Sequence, residues 1–371
     1  MPSLPSDPRC PLRGIIVLLA CLLLWPVAGC SSPPAAVQDE TAQSPPQDPE
    51  DEAALRKALD ALPPQRAGIV DLYAVGFAGD ASEDVFRNEA LYLKTLFNQR
   101  FAADGRVVTL INHPDNLTER PYAPLATYDN LYDTLARIGQ LMDPDEDALL
   151  LFVTTHGTED HTLYVQVSAD EEDWITPKDL RQALDDAGIR NRVIVLSACY
   201  SGGFIPALKS PDTMIITAAR ADRASFGCGN TADATYFGQA WLVDALNQTD
   251  DFEQAYRLAV DEIAAREKAE GEPPSMPQVW RGGRIGKVLE HWRAGLHPGA
   301  EVPYRVPEPT PSLDNLQAAH LLPSRPLPAS NSHFRMPPNE WLHCAAQRAS
   351  PPASQLPIPS QPAIACQPGS P

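Results

Sequence analysis

The sequence predicts an α/β fold, a three-layer sandwich whose mostly parallel central sheet has about six strands. Two observations carry this. Ala148–Thr154 (ALLLFVT) and Val193–Ser197 (VIVLS) are aliphatic runs without polar alternation, the pattern of strands buried on both faces. Helix-like segments alternate with these and further short apolar runs, and a βαβ succession in one sheet means parallel strands with helices on either side. The chain has 371 residues and is 43% hydrophobic, ample for one domain with a substantial core.

From the start of the chain, Arg9 and Arg13 precede an apolar run of about fifteen residues, Gly14–Ala28. That is too short and wrongly flanked for a membrane span, and suits a secretory leader. The run ends in Val27-Ala28-Gly29-Cys30, which resembles a bacterial lipoprotein signal. The resemblance implies cleavage before Cys30, acylation of its sulfur and a lipid anchor in the membrane. Ser31 in place of Asp directs such an anchor to the outer membrane of a bacterial cell envelope, facing the periplasm. An ordinary secretory leader would also export the chain, without the anchor. The expected organisation is a signal peptide at 1–29, a disordered tether at 30–52, a folded domain at 53–292 and a Pro-rich disordered tail at 293–371. The tether is rich in Pro, Gln, Ser and acids and has too little apolar surface to fold.

Glu52–Leu62 is helix-like and stops at Pro63-Pro64. Gly68–Phe77 is expected as a strand, Glu83–Arg100 as a helix, Arg106–Ile111 as the second strand and Leu125–Met142 as the second helix, entered through Thr127. After the third strand at Ala148–Thr154, Thr162–Val167 alternates as a short antiparallel excursion. Thr176–Ala187 opens with Thr-Pro-x-Asp, a helix-start signal. Val193–Ser197 and Met214–Thr217 are the fourth and fifth core strands. Thr235–Leu246 and Asp251–Lys268 are helices, and Gln278–Leu289 supplies a last short strand. From about Ala294 prolines crowd the chain, and no periodic apolar segment exceeds a few residues. Cys344 and Cys366 lie there, and nothing in their setting requires a disulfide.

The candidate chemistry sits at two strand ends. Cys199 follows the fourth core strand in Ser197-Ala198-Cys199-Tyr200-Ser201-Gly202-Gly203, and His156-Gly157 follows the third. Parallel strands would deliver both side chains to the carboxyl edge of one sheet, where open α/β sheets place their ligands. A thiolate nucleophile needs an adjacent imidazole to lower its pKa and to return the proton to the leaving group. Gly157 suits close backbone approach, and its N–H with that of Cys199 could hold an oxyanion. Taken singly, Cys199 reads equally as a buried core thiol and His156 as a strand-end histidine.

His-Gly after one apolar strand and Ala-Cys-x-Ser-Gly-Gly after the next resembles the caspase–hemoglobinase cysteine peptidases, which include caspases, metacaspases and legumains. The legumain branch, especially its bacterial members, is the nearer likeness. Thr217–Leu242 resembles the legumain stretch after the nucleophile, and Phe86–Ala90 (FRNEA) resembles that family's YRHQA. The likeness runs from about Ala67 to Leu289. It implies a caspase-like fold and a cysteine endopeptidase cleaving peptide or protein substrates after Asn or Asp through His156 and Cys199, without a cofactor. It also implies a substrate pocket formed by Arg87, Ser197, Arg220 and Asp222. A buried Arg87 guanidinium would favour a carboxylate or carboxamide; as an exposed helix arginine it would have no such role. Two positions depart from the legumain pattern: Gln239 stands for the acid of its GDW segment, and Val85 for an asparagine that orients the histidine.

Other classes fare less well. With 48 acidic against 29 basic residues and a net charge of −19, nucleic-acid binding is disfavoured. No HExxH, CxxC or phosphate-loop spacing occurs. His161, Cys228, Asp185 and Asp186 read as structural, with His161 solvated on a polar loop. Ser197–Ser201 also resembles a nucleophile elbow carrying Cys for Ser, as in cysteine-nucleophile α/β-hydrolases. That fold places its histidine after the nucleophile, and the first candidate, His291, borders the expected tail. A transpeptidase using the same dyad and a catalytically inactive lipoprotein module are the remaining alternatives.

Overall fold

The computed structural model describes residues 48–114, 123–168, 170–229 and 232–306. The signal peptide, Cys30, most of the tether, Cys344, Cys366 and the chain beyond 306 lie outside the described residues. Eight strands are present among them: β1 (Leu72–Ala78), β2 (Val107–Ile111), β3 (Ala148–Thr154), β4 (Leu163–Ser168), β5 (Glu171–Ile175), β6 (Arg192–Ser197), β7 (Thr213–Thr217) and β8 (Gln278–Arg281). Six form one sheet in the order β2-β1-β3-β6-β7-β8, parallel except for β8, which runs antiparallel to β7. The predicted α/β sandwich with about six strands is the observed fold.

Residue alternation explains why the core strands read as unbroken apolar runs. In β3, Ala148, Leu150 and Phe152 pack into one core while Leu149, Leu151 and Val153 pack into the other; in β6, Val193 and Val195 oppose Ile194 and Leu196 in the same way. Both faces are covered, so neither parity can be polar. The first core is closed by α2 (Asp84–Arg100), a π-helical stretch at Gly238–Ala245, α7 (Phe252–Glu270) and α8 (Ile285–Gly295). The second is closed by α1 (Pro49–Asp60), α3 (Tyr128–Leu141), α4 (Pro177–Asp186) and the single turn α5 (Ile205–Leu208). A further turn, α6 (Leu246–Gln248), continues the π-helical stretch. Local signals set the helix ends: Thr176 and Asp179 form a reciprocal capping box on α4, and Gly271 ends α7 at φ 79°.

The elements differ from expectation in four places. α1 begins at Pro49, within the expected tether, and its buried Asp51 accepts hydrogen bonds from Leu125 N and Asn130 Nδ2. β5 (EEDWI) pairs antiparallel with β4; its charges face solvent on a two-stranded hairpin, which hid it. Gln278–Leu289 divides into β8 and the start of α8. The chain after α8 is packed rather than disordered as far as it is described. Leu296 and Val302 are buried, Tyr92 Oη donates to Val302 O at 2.7 Å, Asn247 Oδ1 accepts from Val302 N, and Arg100 Nη1 donates to Gly299 O. The boundary expected at 292/293 therefore falls inside packed chain. No helix among the described residues is long and apolar enough to cross a membrane.

Candidate active site

β1 is flanked by β2 on one side and β3 on the other, so chain order reverses there, and the parallel strands β1, β3, β6 and β7 bring their carboxyl ends to one edge of the sheet, where such folds place their ligands. Register fixes what reaches it. Thr154 of β3 pairs with Ser197 of β6, and His156 and Cys199 each lie two residues further on. The two ends stay in contact past the last pair: a Cβ on Gly157 would sit 2.0 Å from the carbonyl oxygen of Cys199. Only glycine permits that approach.

The loop after β3 turns back at Gly157, which faces Leu163 in an antiparallel bridge. The hydrogen bonds around that bridge are made by Thr158 N to Thr162 O and Tyr164 N to His156 O, both 3.0 Å. Gly157 therefore occupies the non-hydrogen-bonded position, and its own N–H is not spent on the ladder. The His156 ring stands edge-on to Phe86, with centroids 5.2 Å apart, and its side chain is 24% exposed. Its Nε2 lies 3.3 Å from Glu83 Oε1 and 3.7 Å from Asp80 Oδ2.

Cys199 is 5% exposed and is not in a disulfide. Ser225, in the segment after β7, donates its backbone N–H to Cys199 Sγ at 3.3 Å, and its carbonyl lies 3.5 Å from the same sulfur. The sulfur thus accepts from the Ser225 N–H, and as a thiol it donates to the Ser225 carbonyl. Tyr200, at φ 55°, turns the chain into a short 3-10 helix at Ser201–Phe204, and its N–H is held by Arg223 O at 2.8 Å.

Beneath the two strand ends lies a buried polar layer. Ser197 Oγ and Thr235 Oγ1 share a hydrogen bond at 3.1 Å. Glu89 of α2 is fully buried, accepting from Thr154 Oγ1 at 2.6 Å and Thr235 N at 2.8 Å. Burial raises its carboxyl above the ordinary range, against the pull of these hydrogen bonds.

The residues expected to line the pocket divide. Arg87 is not an exposed helix arginine: it is buried, its Nε and Nη2 donate to Asn88 Oδ1, and its Nη1 lies 3.1 Å from His113 Nδ1. Asp84 closes the group, 2.7 Å from His113 Nε2. Asn88 Nδ2 donates to Asp233 O, tying this cluster to the segment before the π-helical stretch. Arg220 and Asp222 lie at the surface as a bidentate pair, each holding the other in its charged form. Gln239 donates to Asp244, and Val85 is buried in an apolar cluster with Ala78, Phe86, Ala90 and Ile111. Cys228 packs against that cluster and is not in a disulfide. His161, expected to be solvated, instead lays its ring on Gly203, where a Cβ would meet it at 2.1 Å.

Sequence reasoning passed over Glu83, Asp80, Ser225 and Glu89. The first two stand in Gly79-Asp80-Ala81-Ser82-Glu83, directly after a core strand, so their place at the carboxyl edge was available as a signal.

The peptidase C13 family model matches residues 72–138 and 135–284, from β1 through β8. Among solved structures, caspase-1 from Spodoptera frugiperda is similar at 15% identity with a TM-score of 0.40, covering 59% of this chain and 92% of that one. No curated protein matches the chain. The family match takes in more than half of the 371 residues, and it includes both strand ends where His156 and Cys199 stand. The chain belongs to the peptidase C13 family, a family of cysteine peptidases.

Proposed function

We propose that the protein is a cysteine endopeptidase that cleaves after Asn or Asp, with Cys199 as nucleophile and His156 as general acid and base. The observation that supports it most is the β3–β6 register, which carries both residues to one edge and packs Gly157 on the Cys199 carbonyl. In this reading the Cys199 thiol proton passes to His156, and the sulfur attacks the scissile carbonyl carbon. The negative charge that develops on the carbonyl oxygen is met by the N–H groups of Gly157 and Cys199. Collapse breaks the C–N bond as His156 returns the proton to the leaving amine, leaving an acyl-enzyme and a free amine product. Water, deprotonated by His156, then releases the acid.

The pocket for the residue before the cut is assigned to Arg87, with Ser197 beneath it and Arg220 and Asp222 at the rim. Arg87 is a buried guanidinium set against Asn88 and His113, with Asp84 3.8 Å from its Nη2; in this reading its fork also meets a substrate carboxylate or carboxamide. The signal at residues 1–29 and Cys30 place the enzyme, in this reading, as a lipid-anchored protein of the bacterial envelope.

The experiment is Cys199→Ala. It should abolish peptide turnover and labelling by thiol-directed electrophiles while leaving the circular dichroism spectrum unchanged. Undiminished labelling at the same rate would move the reactive thiol to another cysteine, Cys228 among the described residues, and overturn the assignment. In the same preparation, Cys30→Ser should release the protein from the membrane fraction.

A further inference from the structure

We propose that Glu83 is the residue that orients His156, with Asp80 as a second, weaker partner; the inference rests on the dyad reading above. An imidazole that takes a proton from sulfur must present an unprotonated nitrogen to it, so its other nitrogen must hold the ring proton. Both carboxylates of this site approach the same atom, Nε2, at 3.3 Å from Glu83 Oε1 and 3.7 Å from Asp80 Oδ2. A proton on Nε2 is thus stabilised by the acids, and Nδ1 is the nitrogen left to receive the Cys199 proton. The thiol proton moves to Nδ1; the Nε2 proton stays on the ring, facing the Glu83 carboxylate at 3.3 Å.

Glu83 is built to hold that position. Its Oε2 accepts from Gly229 N at 2.7 Å, which fixes the carboxylate and leaves Oε1 toward the ring. Gly229 adopts φ 124°, a conformation that side-chain-bearing residues rarely take. The same loop supplies Ser225 N to Cys199 Sγ, so residues 225–229 touch the thiol at one end and the acid behind the histidine at the other. Asp80 is committed differently: its Oδ1 accepts from Ser82 N and Oγ at 2.7 and 2.6 Å, and only Oδ2 faces His156. Val85, where the legumain pattern has an orienting asparagine, is sealed among apolar side chains and cannot serve.

The test compares Glu83→Ala, Glu83→Gln and Asp80→Asn for kcat and KM on a cleavable peptide, and reads the His156 ring nitrogens by 15N NMR in a Cys199→Ala background. Glu83→Ala should lower kcat about tenfold or more with KM within about twofold. Glu83→Gln should keep more activity, since its amide oxygen can still face Nε2–H as an acceptor, and Asp80→Asn should lose least. The ring shifts should report the Nε2–H tautomer with Glu83 present and a mixture once it is alanine. An Nδ1–H tautomer, or a Glu83→Ala variant with unchanged ring shifts, overturns the proposal even if kcat falls. Failure of the wild type to cleave any peptide would count against the peptidase reading alone, because the NMR result reports the Glu83–His156 contact without turnover.

Discussion

Gly157 and Cys199 touch through their backbones: a side chain on Gly157 would lie 2.0 Å from the Cys199 carbonyl oxygen and 3.3 Å from Ala198 Cβ. Neither neighbour is a flexible side chain, so Gly157→Ala can be accommodated only by parting the ends of β3 and β6. A shift of about 1 Å between catalytic groups costs roughly a hundredfold in rate. Gly157→Ala is expected to lower kcat/KM by at least that factor while the rest of the sheet stays paired. Activity within a few-fold of wild type would show that the strand ends are not held together as the catalytic reading needs.

The segment after α8 carries the clearest stability prediction. Truncation after Ala294 removes the buried Leu296 and Val302 and the contacts of Tyr92, Asn247 and Arg100 to this strap. Burial of two such side chains is worth about 3 kcal/mol or more, or roughly 6–12 °C in Tm for a body of this size. A chain ending after Val306, which keeps all these contacts, is the control in thermal unfolding. Equal melting of the two truncations would mean the strap contributes nothing.

How far these features could be read from sequence follows from their range in the chain. β1, β3 and β6 are legible because burial on both faces leaves an unbroken apolar run, and His156 and Cys199 are legible because each directly follows one. α8 is hard to separate from β8 because only Gly282, Gly283 and Arg284 lie between them, and its Ile285, Leu289 and Trp292 stripe is short. The strap is Pro-rich and aperiodic, and its anchors are backbone carbonyls bonded to side chains far away in sequence, so composition alone reported disorder. Burial of Arg87 depends on His113, twenty-six residues away, and no local pattern reports such a partner.

Arg87 is the test of specificity. Profiling a peptide library at the position before the cut should give Asn and Asp preference in the wild type. Losing a charge-assisted contact costs on the order of 1.5–3 kcal/mol, roughly ten- to a hundredfold in kcat/KM. Arg87→Ala should show that loss for Asn and Asp substrates alone. Arg87→Lys, which keeps the charge and gives up the fork, should recover Asp better than Asn. A wild-type preference for Lys or Arg would assign the pocket to acids instead. Asp222 would then have to leave its bidentate partner Arg220.

Glu89 makes a prediction about pH. Its carboxyl is fully buried between Thr154 and Thr235, and burial raises its pKa above the ordinary value of 4.5. Well below that value the folded and unfolded chains are both protonated here, and the group contributes nothing to the pH dependence. As pH rises through and beyond it, the unfolded chain releases its proton while the folded chain retains it. Stability therefore falls with rising pH, by about 1.4 kcal/mol for each unit of upward shift once the folded pKa is passed. Glutamine has the same shape, accepts from Thr235 N through its oxygen and donates to the Thr154 hydroxyl through its nitrogen, with no charge to bury. The resembled YRHQA motif places glutamine at this position. Glu89→Gln should thus match the wild-type Tm near pH 4 and exceed it increasingly toward neutral pH. Glu89→Ala, which leaves Thr235 N without its acceptor, should melt below wild type throughout. A Gln variant less stable than wild type at neutral pH would mean that the ionised carboxylate is the form the fold requires.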